Sequence, residues 1–307
     1  MVSEAVVQAL RKFVPEENIC LQESMASHTT FRIGGLADCF MQLENTEQLI
    51  KVRKYLSQVG VPFFVLGNGS NLLVSDEGFR GVILQIGPKM NRVTVEGSVI
   101  VAQAGASMAQ IARTAMEHEL TGMEFASGIP GTIGGGVVMN AGAYGGELSR
   151  IVTQVNVVNS EGEIMELDNE TMEFGYRTST IRNNSFTVTE VILRLEKGDR
   201  QQIRERMEEL AARRREKQPL EYPSAGSTFK RPAGHYAGQL IMEAGLRGFQ
   251  CGGAKVSDKH CGFVINTGNA TAEDVRKLIR EVQARVKDQF NVDLETEVLF
   301  LGWEKNR

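Results

Sequence analysis

Apolar residues recur along the chain in two alternating rhythms. Over 46 to 59 (TEQLIKVRKYLSQV) they return at Leu49, Val52 and Leu56 behind a threonine able to cap the first turn, which predicts an amphipathic helix. Helical spacing also appears at Val6, Val7, Leu10 and Phe13, from Met108 to His118, and from Ala237 to Ala244. Its longest stripe is Val275, Leu278, Ile279, Val282 and Val286, between Thr271 and Phe290. Between these lie short β-rich runs: FFVL and LLVSD around a glycine turn, then GVILQI, RVTVEG and VIVAQAG, and later FVINT and EVLFLGW. IVTQVNVVN and GEIMELD, joined by Ser160-Glu161-Gly162, read as a hairpin. The pattern predicts an α+β body. One stretch stands apart, RQQIRERMEELAARRREK between Gly198 and Lys217, a charged helix with a solvated face that marks the best domain boundary.

Length and composition narrow the class. A chain of 307 residues exceeds what one core usually organises, so two or three domains are expected. A net charge of -4 and an aromatic share of 7% argue against a nucleic-acid partner, which needs a cationic field and stacking platforms. The first residues carry Glu4 early and lack the unbroken apolar stretch of an export signal. The longest apolar run, around Val137, is interrupted by glycines and Asn140, so no membrane span is expected. Cys20, Cys39, Cys251 and Cys261 form no C-x-x-C pair and read as thiols, and the four histidines lack metal-ligand spacing, so no metal site is expected.

Candidate chemistry enters with glycine. Gly67-Asn68-Gly69-Ser70-Asn71 follows the strand FFVL directly; glycine there permits positive φ and lets backbone N–H groups approach a diphosphate. Leu72 stands where a dinucleotide fingerprint would have its third glycine, and no G-K-[ST] follows, so the loop is neither a Rossmann fingerprint nor a P-loop. A second loop, GIPGTIGGGVVMNAGAYGG, holds eight glycines in nineteen residues. A helix packed tightly on a sheet accounts for Gly134 to Gly136 but not for Gly142 to Gly146, which favours a cofactor cradle. Asn140 adds an amide for either type of heteroatom.

The strings LGNGSNLLVSDEGFRGVIL, GMEFASGIPGTIGGGVVMNAGAYGGEL, FGYRTS, YPSAGSTFKRP, AGQLIMEAGLRG, SDKHCGFVINTGNATAEDV and LETEVLFLG, in that order, resemble the UDP-N-acetylenolpyruvoylglucosamine reductases, flavin enzymes of peptidoglycan precursor synthesis. The match runs from about Thr30 to Gly302 and is to the shorter form, without an added tyrosine loop. The resemblance implies a two-part FAD-binding region of the vanillyl-alcohol-oxidase (PCMH) type, at 1–85 and 86–198, followed by an α/β substrate-binding domain at 199–307. It also implies non-covalent FAD, NADPH as reductant, a sugar-nucleotide substrate, a cytoplasmic setting and no obligate protein partner. The expected cofactor contacts are Gly67, Asn68, Gly69, Ser70, Asn71 and Leu72 in the first loop. In the second they are Gly128, Ile129, Pro130, Gly131, Gly134, Gly135, Asn140, Gly142 and Ala143.

By resemblance Ser227, in AGSTF, is the proton donor; Arg177, in GYRTS, grips the substrate carboxylate; and Glu297, in LETEVLFLG, polarises or protonates the enolate. Lys230 stands near Ser227 as a stabiliser of its alkoxide. Lys217 and Arg231 are candidates for the diphosphate, and Tyr144 for the sugar or flavin. His260 reads as structural. Two other readings are weighed, an FAD-dependent oxidase on the same scaffold and a sugar-nucleotide-binding protein without turnover.

Overall fold

The computed structural model describes residues 1–303. It is an α+β protein of two compact units, each discontinuous in sequence: residues 1–21, 39–68 and 81–214 form the first, and 22–38, 69–80 and the described residues from 215 onward the second. Among the described residues, no helix is long and apolar enough to cross a membrane.

The first unit is organised by a five-stranded antiparallel sheet in the order Ile164–Asp168, Val152–Val158, Thr187–Arg194, Val99–Gln103 and Val93–Glu96. Its hairpin turns where expected, with Gly162 at φ +76°. The strand Phe63–Leu66, which leads into the first glycine loop, pairs in parallel with Phe79–Gln85. The helix Thr46–Gln58 buries Leu49, Val52 and Leu56 as the spacing predicts, but its cap is Asn45, whose side chain accepts from the Gln48 N–H at 2.9 Å; Thr46 is already inside the helix. The helix Met108–Glu117 is capped by Ser107 and buries Met108, Ile111, Ala112 and Ala115. All join one core with the sheet.

In the second unit the strands run Ser224–Ser227, Phe263–Asn266, Ala254–Val256, Gln250–Cys251, all antiparallel. The helix Ala272–Phe290 starts with a capping box, Thr271 and Asp274 each accepting from the other's backbone, and buries all five residues of the predicted stripe. A parallel pair, Leu72–Val74 with Leu299–Leu301, carries the segment after the first glycine loop beside the segment after Glu297. Cys20, Cys251 and Cys261 are free thiols, and Cys39 is buried.

Candidate functional site

In the first unit the two glycine loops meet. A Cβ on Gly67 would lie 2.5 Å from the Thr132 hydroxyl oxygen, so the first loop reaches the second only as glycine. Thr132 caps the short helix Ile133–Val138, its hydroxyl accepting from the Gly135 N–H. The other N–H groups of that first turn are also committed within the protein: Ile133 donates to the Ala106 carbonyl, Gly134 to Ala104 and Gly136 to Thr132. These bonds leave the first turn of the helix no spare N–H donor for an anion.

The glycines of the second loop divide by what their missing side chains would meet. Cβ atoms on Gly134 and Gly136 would press on Ala104 and on Leu148 and Met108 at 2.8 to 3.2 Å, the close helix packing foreseen for them. Gly142 and Gly146, expected to be free of such packing, are not: Gly142 meets its cross-strand partner Glu147 at 2.9 Å within the hairpin they form, and Gly146 lies against the Phe125 ring at 2.5 Å. Gly135 is different, exposed and with only the Thr132 hydroxyl near, at 3.5 Å. Of the other expected contacts in this unit, Asn68, Gly128 and Pro130 are exposed and Ile129, Gly131 and Ala143 half-buried. Gly67 packed against the Thr132 side chain, with exposed glycine backbone at Gly128 and Gly135, suits the elongated diphosphate of FAD.

Asn140 is buried, at 4% exposure, and both ends of its amide hold backbone: Oδ1 accepts from the Ser149 N–H at 2.9 Å and Nδ2 donates to the Gly175 carbonyl at 3.2 Å. Gly175 opens the turn that carries Arg177, a half-buried residue at φ +56° with its guanidinium 5.2 Å from the Tyr176 ring centroid. Tyr144 also has positive φ, +53°, and is 37% exposed. It borders a cavity of about 360 Å³ lined also by Phe125, Gly145, Arg150, Arg206 and Leu210. Over its ring, at 5.8 Å, stands the Arg214 guanidinium, which also donates to the Gly128 carbonyl. Arg214 was hidden in the arginine-rich helix Arg200–Lys217, whose surface composition gives no sign that one residue of it binds a loop 86 positions away.

In the second unit Ser227 ends its strand behind Gly226, at φ +75°, and is paired with Phe263. Beside it, the Glu297 N–H donates to the Thr228 carbonyl at 2.9 Å and Phe229 bridges Thr296, so Ser227 and Glu297 lie on adjacent segments. Asn71 secures the arrangement, its Nδ2 donating to the Glu297 carbonyl at 3.0 Å and its own carbonyl accepting from Leu299 N–H. Sequence reasoning gave Asn71 to the cofactor and missed this tie. Gly69 is buried, a Cβ there being 2.1 Å from the His28 carbonyl oxygen, and Leu72 is buried in its strand, while Ser70 is half-buried. Lys230 is paired with Glu295 at 2.9 Å, and this ammonium holds the Glu295 carboxyl below its ordinary value. Lys217 is exposed at the end of its helix. The Arg231 guanidinium stacks 4.0 Å above the Tyr236 ring.

Residues 37–168 match a family model described as FAD binding domain, and residues 218–301 one described as UDP-N-acetylenolpyruvoylglucosamine reductase, C-terminal domain. The chain is 50% identical to the UDP-N-acetylenolpyruvoylglucosamine reductase of Caldanaerobacter subterraneus subsp. tengcongensis, covering 98% of this chain and 99% of the relative. To the enzyme of the same name from Clostridium kluyveri it is 48% identical, over 95% and 96%. Among solved structures, that of UDP-N-acetylenolpyruvylglucosamine reductase from Thermus caldophilus is similar with a TM-score of 0.79 and 34% identity, over 92% of this chain and 98% of that one. A glucose oxidase variant of Phl p 4 shares the fold alone, at 13% identity and a TM-score of 0.50 over 64% of this chain and 45% of its own.

Proposed function

The chain belongs to the UDP-N-acetylenolpyruvoylglucosamine reductase family, and from that premise we propose that it reduces UDP-N-acetylglucosamine enolpyruvate to UDP-N-acetylmuramate with NADPH, using non-covalently held FAD. One hydride and one proton add across the enolpyruvyl double bond. FAD, when bound, supplies the two-electron carrier between NADPH and that bond. The loop residues Gly67, Asn68 and Gly128 would hold it by backbone contact, Gly135 would leave room for it on the exposed side of the short helix, and Ile129, Pro130, Gly131 and Ala143 would lie alongside. The parts at 1–85 and 86–198 serve the flavin in this reading, and 199–307 the substrate.

Arg177 takes the substrate carboxylate, where a planar guanidinium offers two parallel donors to the charge that grows as hydride arrives at the terminal carbon. Ser227 gives its hydroxyl proton to the carbon beside the carboxylate. Serine is a very weak acid, suited to this task only because the centre it protonates is carbanionic and strongly basic. Glu297 polarises the enolate from the segment next to Ser227, and Lys217 and Arg231 bind the diphosphate. Tyr144 stands by the sugar or flavin. The observation that supports these roles best is the Glu297–Thr228 backbone bond, which holds two chemically relevant side chains from distant parts of the sequence on neighbouring segments. Cytoplasmic residence, and independence from nucleic acid, membrane and obligate protein partners, belong to the same reading and agree with the net charge of -4.

The relatives do not favour the oxidase or the non-catalytic binding protein. The test is spectroscopic: the purified holoprotein is bleached by NADPH, and its colour returns on adding the enolpyruvyl substrate without oxygen. Ser227→Ala keeps the bleaching and slows the return about a hundredfold or more, the usual contribution of a general acid. Initial rates follow ping-pong kinetics. A wild-type protein that bleaches but is not reoxidised by the substrate would overturn the proposal.

A further inference from the structure

We infer that Asn140 is a positioning residue for Arg177, tying the end of the glycine-rich helix to the turn that presents the guanidinium. The inference rests on the role of Arg177 proposed above, but the geometry behind it is independent of that role. Gly175 and Thr178 exchange two backbone bonds, each N–H donating to the other's carbonyl at 3.1 and 3.4 Å, and so close a tight turn around Tyr176 and Arg177. Within it Arg177 holds a left-handed conformation, which is disfavoured for a non-glycine residue and persists only where the surroundings enforce it.

Three contacts do the enforcing. Asn140 Nδ2 donates to the Gly175 carbonyl, Ser179 Oγ donates to the Val138 carbonyl at 3.1 Å, and Arg182 Nη1 donates to the carbonyl of Arg177 itself at 3.0 Å. Two of the three therefore come from residues 138–140. Asn140 is itself left-handed, at φ +42°, and its second amide end is fixed by the Ser149 N–H. Asparagine meets all these demands: it tolerates the left-handed region, accepts from one backbone and donates to another. Aspartate keeps the first two properties, loses the donor and sets a negative oxygen against the Gly175 carbonyl. The segment that follows the flavin-loop helix thus fixes the direction in which Arg177 leaves the chain.

The test uses the holoenzyme carrying Asn140→Asp. FAD content and the rate of bleaching by NADPH stay within about twofold of wild type. Reoxidation by the enolpyruvyl substrate slows about tenfold with a raised substrate KM, the effect of a lost buried hydrogen bond. Amide exchange in a peptide spanning 172–180 accelerates, which reports the turn whatever the reaction. Adding Arg177→Lys to Asn140→Asp costs less than it does in wild type, since the two act as one unit. Loss of FAD, or unchanged exchange at 172–180, would overturn the inference and return Asn140 to the cofactor. A wild-type enzyme that the substrate fails to reoxidise sinks the functional reading instead, and the exchange result still decides the turn. If Asn140→Asp does not fold, Ser179→Ala removes the neighbouring tie to Val138 and carries the same expectations.

Discussion

The Cα of Gly67 faces the Thr132 hydroxyl so closely that an added methyl group would sit 2.5 Å from its oxygen. Two segments with unrelated local roles, a post-strand turn and a helix cap, are thereby joined at one point. A substitution at either side disturbs both, which makes the contact a direct handle on the cradle.

Gly67→Ala should displace the Thr132 side chain, break its bond to the Gly135 N–H and weaken FAD binding. Restoring room with Thr132→Ala should recover part of that affinity, while costing about 1 kcal/mol for the lost cap. Gly135→Ala tests the cradle from the other side. Its Cβ meets no obstacle, and alanine is the better helix former, so the apoprotein should gain up to about 1 kcal/mol. FAD affinity should nonetheless fall if the cofactor lies against this backbone. Thermal denaturation of the apoprotein and flavin titration read the two opposite effects; an unchanged affinity would move the cofactor away from Gly135.

Arg214 should behave as part of the second loop rather than of the solvated helix that carries it. Its guanidinium bonds the Gly128 carbonyl and covers the Tyr144 ring, so Arg214→Met keeps most of the packing and removes both polar interactions. A charge-assisted bond of this kind contributes about 1.5–3 kcal/mol. We expect FAD to dissociate at least tenfold faster, followed by flavin fluorescence on dilution. Arg213→Met, one position earlier, loses only an exposed pair with Glu209 and should leave the off-rate unchanged.

Arg53 is the clearest buried charge of the first unit, at 3% exposure. It donates to the Val158 carbonyl, the Thr187 hydroxyl and the Ser185 carbonyl, and stands over the Phe63 ring at 5.6 Å, while its Nε has no partner. Burial pushes its pKa down, against a smaller opposing pull from the Glu161 carboxylate. Arg53→Met leaves three acceptors unsatisfied, at about 1 kcal/mol or more each, and should lower stability by about 3 kcal/mol. Urea denaturation measures this; a change below about 1 kcal/mol would mean that water replaces the guanidinium.

What could be read from the sequence follows the range of the interactions. The stripe from Val275 to Val286 and the Gly162 hairpin depend on residues a few positions apart, and both appear as expected. Asn45 took the cap expected of Thr46 because both can cap and only the entering backbone decides between them. Gly142 and Gly146 looked surplus to packing, since neither the Glu147 pairing across the hairpin nor the Phe125 ring against it can be seen in one dimension. Asn71 and Asn140 were read as ligand amides for the same reason: their partners, the Glu297 and Gly175 carbonyls, are backbone atoms with no sequence signature. Resemblance supplied Ser227, Arg177 and Glu297, and the structure adds the bonds by which they are held.

His260 gives the second unit a pH dependence of known sign. The ring accepts the Gly262 N–H on Nδ1 at 3.1 Å and packs edge-on against Phe263, and burial pushes its pKa below the ordinary 6.5. Protonation would both charge a half-buried ring and abolish that acceptor. The unfolded chain therefore binds this proton more readily than the folded one, so stability rises with pH. The contribution is complete above about pH 6.5 and is lost as pH falls below it. Urea midpoints between pH 5 and 8 should show this slope, and His260→Asn, which cannot titrate, should flatten it; a variant with the wild-type slope would assign the effect to other groups.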